Sequence, residues 1–254
     1  MNRRYQYHDK EKDKDFIINS MTKYLEEKQE IDKELENIIA PHIQSRKLNI
    51  LDACCGVGHI SYFLSKLSPG STFLGIDQTP YLIDEAKKLS DGTNLNFEVG
   101  DIYDMPEKFK KNFDVSVCWK TLSWLPYYDE VMKSLVSCTK NYIFINGLFY
   151  EGDIDFQIKV REYKKEKGKT DFTLYYNVYS LPRFKKFVYS LDVKNIEVYD
   201  FNINIDIGKK DLDYMGTYTE KLEDGNRLQI SGAVVMLWKI IKIEIWYEVK
   251  KECY

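Results

Sequence analysis

The chain has 254 residues, enough for one large domain with a full core or one domain carrying an insertion. Lys and Arg number 37 against 40 Asp and Glu, a net charge of -3, and the two signs are interleaved, which argues against a field that draws in nucleic acid or an anionic membrane. With 44% hydrophobic and 30% charged residues the composition is that of a soluble globular protein. No apolar run spans a membrane, since Ala233–Trp238 is broken by Lys239 and Lys242.

Met1 to Phe16 are charged and contain no apolar signal segment. The five cysteines, Cys54, Cys55, Cys118, Cys138 and Cys253, form no Cys-x-x-Cys pair, and adjacent Cys54 and Cys55 suit neither a disulfide nor a zinc site. Free buried thiols in a reducing cytosol are the expectation, with no metal.

Residues 16–40 read as one helix, with Ile17, Met21, Leu25, Ile31, Leu35 and Ile39 on its stripe and Pro41 as its stop. The period then changes. Leu48–Ala53 reads as a strand, Gly56 and Gly58 as a tight loop, and Ile60–Leu67 as a helix. The alternation continues with strand Thr72–Ile76, helix Pro80–Leu89, strand Leu95–Val99, strand Phe113–Trp119, helix Tyr128–Cys138 and strand Tyr142–Phe149. Strands alternating with helices predict a mostly parallel sheet covered on both faces. Residues 153–180 read as strand, charged turn (Lys164–Lys169) and strand, an insertion after the fifth strand. A helix near Pro182–Ser190 precedes two long strands, Asn195–Ile205 and Leu228–Ile243, as an antiparallel pair. The expected organisation is a single domain: an N-terminal helical segment or lid (1–44), a cofactor-binding core (45–150), an inserted cap (151–180), and a terminal helix and strand pair (181–254).

The chemistry concentrates at three strand ends. The first delivers Asp52 into Ala53-Cys54-Cys55-Gly56-Val57-Gly58, where glycines let backbone approach a ligand at a helix start. The second ends at Asp77, which is 25 residues beyond Asp52 and suited to a ribose diol. The third ends at Asp101, an acceptor for an adenine amino group, with Ile102 able to pack the ring. Three acids at consecutive strand ends point to a nucleoside site.

The stretches Asn49–Gly58, Gly75-Ile-Asp77 and Gly100-Asp-Ile102, with Phe113–Trp119, resemble the successive motifs of the class I S-adenosylmethionine (SAM)-dependent methyltransferases over residues 45–150. The resemblance implies a Rossmann-like α/β fold, a seven-stranded sheet with a terminal antiparallel strand pair and an inserted cap. It implies that the loop with Cys54, Gly56 and Gly58 lies by the methionine part of SAM, that Asp52 orients the loop or the amino group, that Asp77 with neighbouring Gln78 holds the ribose, and that Asp101 and Ile102 hold the adenine. Many members have glycine at the position of Cys54, so the backbone here is expected to avoid glycine-only angles.

A nicotinamide-dependent oxidoreductase is the nearest rival, but its fingerprint wants a third glycine where Ser61 stands. A non-catalytic SAM-binding module is the other. A sulfonium is already activated, so alignment and water exclusion matter more than a triad. Catalytic candidates are His8 and Tyr7, in a segment able to fold over the cofactor, and Tyr128 after the fourth strand. Trp119 is a candidate to flank the sulfonium. His59 reads as structural or cofactor-adjacent, His42 as a surface loop residue, and Lys120 as meeting an anionic acceptor or reaching solvent. The cap, with Phe156, Phe172, Tyr175, Tyr176, Tyr179, Arg161 and Asn177, is the expected specificity element. The general plan resembles bacterial methyltransferases of sugar and surface-glycan (capsule) pathways. It implies a hydroxyl or amine on a small polar acceptor, with no nucleic-acid or membrane partner.

Overall fold

The protein was analysed as a computed structural model, which describes residues 14–90, 94–164, 168–209 and 216–246. The sheet runs in the order β3-β2-β1-β4-β5-β13-β9. Its parallel half is β1 (Asn49–Ala53), β2 (Thr72–Asp77), β3 (Leu95–Val99), β4 (Phe113–Cys118) and β5 (Thr139–Tyr150). β13 (Trp238–Ile245) runs antiparallel between β5 and β9 (Val193–Asp200). The expected seven strands with a reversed terminal pair are therefore present. An eighth, β8 (Val178–Ser180), pairs parallel with the end of β5.

Both faces are covered, which is why these strands read as apolar runs. On one face Ile143, Ile145 and Phe149 of β5 pack with α6 (Asp129–Cys138) and α7 (Leu181–Tyr189). On the other, Phe144 packs with α2 (Glu30–Ile43), α3 (His59–Leu67) and α4 (Pro80–Ala86). The chain runs outward from β1 to β3, then returns to β4 on the other side of β1. That reversal opens a crevice beyond the carboxyl ends of β1 and β4, where open α/β sheets bind ligands.

The structure corrects three expectations. The single N-terminal helix is two, α1 (Lys14–Glu26) and α2, separated by an extended Gln29 with φ -72° and ψ 154°. Pro41 does not stop α2. Full burial of Ile39 and Ile43, about 1.5–3 kcal/mol each, outweighs the one backbone bond that proline cannot make. His42 consequently lies on a helix, its ring 4.4 Å from that of Tyr142. Third, Leu228–Ile243 is not one strand. A small sheet of β10 (Thr217–Lys221), β11 (Arg227–Ser231) and β12 (Val234–Val235) precedes β13. The inserted hairpin is present as β6 (Lys159–Lys164) and β7 (Gly168–Tyr175).

Candidate functional site

The loop after β1 is held from below and from the side. Asp77 at the end of β2 accepts from the Gly56 amide (3.0 Å) and the Thr79 amide (2.9 Å). Burial raises the Asp77 carboxyl above its ordinary range, opposed by those same amides. A carboxylate has about four acceptor sites, so two amides leave room for a diol. Asp101 accepts from the Tyr103 amide at 3.0 Å, which turns the chain just beyond β3. Ile102 is buried beside Met105, and its carbonyl accepts from Ser134. Gln78 is half-buried between Asp77 and α4.

Asp52 is turned inward. It is 2% exposed, and one carboxylate oxygen accepts both the Ser61 amide (3.1 Å) and hydroxyl (2.7 Å). Burial pushes its carboxyl up to about 7. Within the described residues it therefore clamps the first turn of α3 to β1. The glycines are also set by internal packing. A Cβ on Gly58 would meet the Phe97 ring at 2.6 Å, one on Gly75 the same ring at 2.4 Å, and one on Gly56 the Met21 methyl at 2.5 Å. Cys54 does not avoid the left-handed region: its φ is 60°, a conformation other residues reach at a cost of about 1–2 kcal/mol. The hydrogen bond with the neighbouring Cys118 thiol, and then burial, hold the Cys54 thiol well above its usual range.

Trp119 does not face the crevice as expected. It is buried under α2, and its indole N–H donates to Asp32 at 2.9 Å. Lys120, with φ 52°, donates its ammonium to Asp32 (2.8 Å) and Gln29 (2.6 Å), so it meets a protein carboxylate rather than solvent. Burial lowers the Lys120 ammonium, opposed by Asp32. Its amide donates to Asn146 on β5 at 2.6 Å, and the Asn146 side-chain N–H group has no partner among the described residues. Tyr128 packs edge-on to Tyr179, Phe184 and Phe187, and burial raises its phenol to about 12, leaving it protonated at neutral pH. His8 and Tyr7 lie outside the described residues.

The residue that sequence reasoning left undecided is His59, at the first turn of α3. It is buried, lies 5.4 Å from the Tyr24 ring of α1, and neither ring nitrogen has a partner among the described residues. Burial, reinforced by the nearby Lys120, lowers the imidazole to about 3, so it is neutral. In the cap, Tyr176, Asn177 and Tyr179 are buried. Asn177 donates to the Leu125 carbonyl (2.7 Å) and accepts from the Ile158 amide (3.2 Å), tying the hairpin to the core. They are structural anchors, not an open binding face. The side chains of Arg161 and Phe172 lie outside those described.

A family profile described as "Methyltransferase domain" matches residues 44–214, about two thirds of the chain. The chain belongs to the class I SAM-dependent methyltransferase family. Among curated relatives, the chain is 35% identical over 86 residues to malonyl-[acyl-carrier protein] O-methyltransferase 1 of Ilyobacter polytropus, a match that covers 33% of the chain. The matched stretch spans only 31% of that relative. Among solved structures it is similar to magnesium protoporphyrin IX methyltransferase from Synechocystis with S-adenosylhomocysteine (SAH) bound. The TM-score is 0.52 and the identity 12%, over 85% of this chain and 82% of that one. It is likewise similar to the N-terminal domain of EvdMO1 in the presence of SAH and D-fucose, with a TM-score of 0.55 and 12% identity, over 86% and 84% of the two chains. Likeness at that identity speaks for the fold alone.

Of the positions singled out by the motifs, the fold brings Cys54, Gly56, Asp77, Gln78 and Asp101 to the carboxyl edge of β1–β3. It withdraws Asp52 and Trp119 into the protein. Sequence reasoning missed Met21, Asp32 and Asn146 as neighbours of the crevice. The helical stripe already contained Met21, but no local pattern says that it lands on Gly56.

Proposed function

We propose that the chain is an enzyme that transfers a methyl group from SAM to a hydroxyl or amine of a small polar acceptor, such as a sugar, a sugar nucleotide or a surface-glycan precursor. The observation that carries the reading is the convergence of Asp77 and Asp101 with the Cys54–Gly58 loop at the sheet's switch point. SAM supplies a sulfonium methyl already primed for displacement, so the chain's task is placement and desolvation.

Asp77, already preorganised by two amides, accepts from the ribose hydroxyls, with Gln78 alongside. Asp101 accepts from the adenine amino group, and Ile102 forms the floor beside it. The Cys54–Gly58 loop takes the amino-acid end. His59 fits this group: a buried, neutral imidazole with no partner among the described residues gains a hydrogen bond there. Met21 of α1 closes over Gly56 and keeps water from the loop. Asn146 offers a side-chain donor with no partner among the described residues, beside the end of β4, where it can hold the acceptor. His8, with Tyr7, is the candidate proton acceptor for a hydroxyl nucleophile. Asp52, bonded to Ser61, and protonated Tyr128 are poorly suited to that task.

The test is a mass-spectrometric acceptor screen reading a gain of one methyl with stoichiometric SAH release. Sugars and sugar nucleotides stand beside malonyl carrier protein, because one relative is named for that substrate. Methylation of only the carrier protein, or of only proteins or nucleic acids, refutes the small polar acceptor. SAM binding without any turnover refutes the enzyme. His8→Ala should cut turnover and spare SAM affinity; unaltered kinetics remove His8.

A further inference from the structure

A cleft of about 370 Å³ lies where β5 and β9 end and β13 begins, roofed by the β10–β12 insertion. Because β13 runs antiparallel to both neighbours, these three termini share the carboxyl edge with the Cys54–Gly58 loop. Strands lie about 4.8 Å apart, so β13 is about 10 Å sideways from β4, and Phe149–Glu151 lie about 13–20 Å further along β5 than Ile145, the partner of Cys118 at the end of β4.

The lining combines two features. Trp238 and Phe201 supply aromatic surface. The rim carries Glu151, Asp200, Lys239 and Arg227, and both cations already have carboxylate partners. Lys239 binds Glu151 at 2.6 Å and also Asp200, while Arg227 holds Asp206 through two bonds of 2.7 and 3.2 Å. An anionic ligand would have to displace one of these carboxylates, and a lipid chain would leave the polar rim unsolvated. A neutral ring with an apolar face and several hydroxyls breaks neither condition: its C–H face covers an aromatic side chain, and its hydroxyls bridge fixed donors and acceptors.

We propose that this cleft binds a neutral hexopyranose ring, the recognition element of the acceptor. The assignment rests on the methyl-transfer reading above and adds both the place and the class of the sugar. It moves specificity from the expected cap at 151–180 to the cleft walls at 201–203, 227–229 and 235–237.

The experiment is saturation-transfer NMR on the full chain with SAH present, using neutral methyl hexopyranosides, with glycerol 3-phosphate and octanoate as anionic and apolar controls. Transfer to ring protons of one or more glycosides is expected, with titrated affinity about tenfold weaker in Asn202→Ala and in Asp200→Ala, the loss of one hydrogen bond. Asn202 is exposed on the cleft wall, so its variant should fold, and SAH affinity by calorimetry should not change. Absence of glycoside signal, preference for octanoate or glycerol 3-phosphate, or equal affinity in both variants overturns the proposal. Glycoside binding without methyl transfer sustains the cleft assignment and counts against the acceptor reading instead.

Discussion

A carboxylate at the end of a strand means different things according to what meets it. Asp77 keeps acceptor sites after binding the Gly56 and Thr79 amides, so Asp77→Ala should weaken SAM binding by about 1–3 kcal/mol. Calorimetry showing the same affinity would contradict its role. Asp52 and His59 face opposite problems of burial. The imidazole at about 3, against an ordinary 6.5, contributes stability that is full above pH 6.5 and is lost as pH falls. The Asp52 carboxyl at about 7, against 3.8, keeps a proton the unfolded chain releases, so its contribution is full below pH 3.8 and is lost as pH rises. Between pH 3.8 and 6.5 the two slopes oppose, each at most about 1.4 kcal/mol per pH unit. Urea unfolding should show His59→Leu losing stability, relative to wild type, as pH rises through this window. Asp52→Asn should gain it. Two variants parallel to wild type would mean that neither group titrates as its burial implies.

At the scale of elements, α2 is docked by one buried acid. Asp32 satisfies both the Trp119 indole and the Lys120 ammonium, joining α2 to the end of β4. Asp32→Ala should cost about 3–5 kcal/mol by denaturant unfolding, because it strands a buried cation. Adding Lys120→Met should restore part of that loss; additive losses would show that the pair does not act as a unit. The break at Gln29 has the same origin. A continuous helix could not place Met21 over Gly56 while Ile31, Leu35, Ile39 and Ile43 of α2 are buried on the sheet. The helical stripe was legible at 3.6-residue spacing, whereas the break depends on what each half covers.

At the scale of the whole molecule, a cofactor that bridges three strand ends should stabilise the folded chain by mass action. SAH at about 100 times its Kd should add about 2.7 kcal/mol, a rise in Tm of about 5–10 °C for a chain of this size. In Asp77→Ala the same SAH concentration should produce a smaller shift. A wild-type Tm indifferent to SAH would count against the nucleoside site itself.

The parallel sheet, its reversed last strands and the acids at its edge were readable from the chain alone. Apolar runs, helical spacing and strand-to-acid distances are local signals, and a two-sided sheet forces strand ends to one edge. Only the tertiary structure decided which groups are used up inside the protein. Asp52 is consumed by Ser61, and Trp119 by Asp32, 87 residues away. The β10–β12 roof, whose β11 and β12 read in sequence as part of one long strand, likewise became visible only in three dimensions. Hydrogen bonds and burial pair groups that are distant in sequence, so the partner of a polar side chain is a property of packing and not of periodicity.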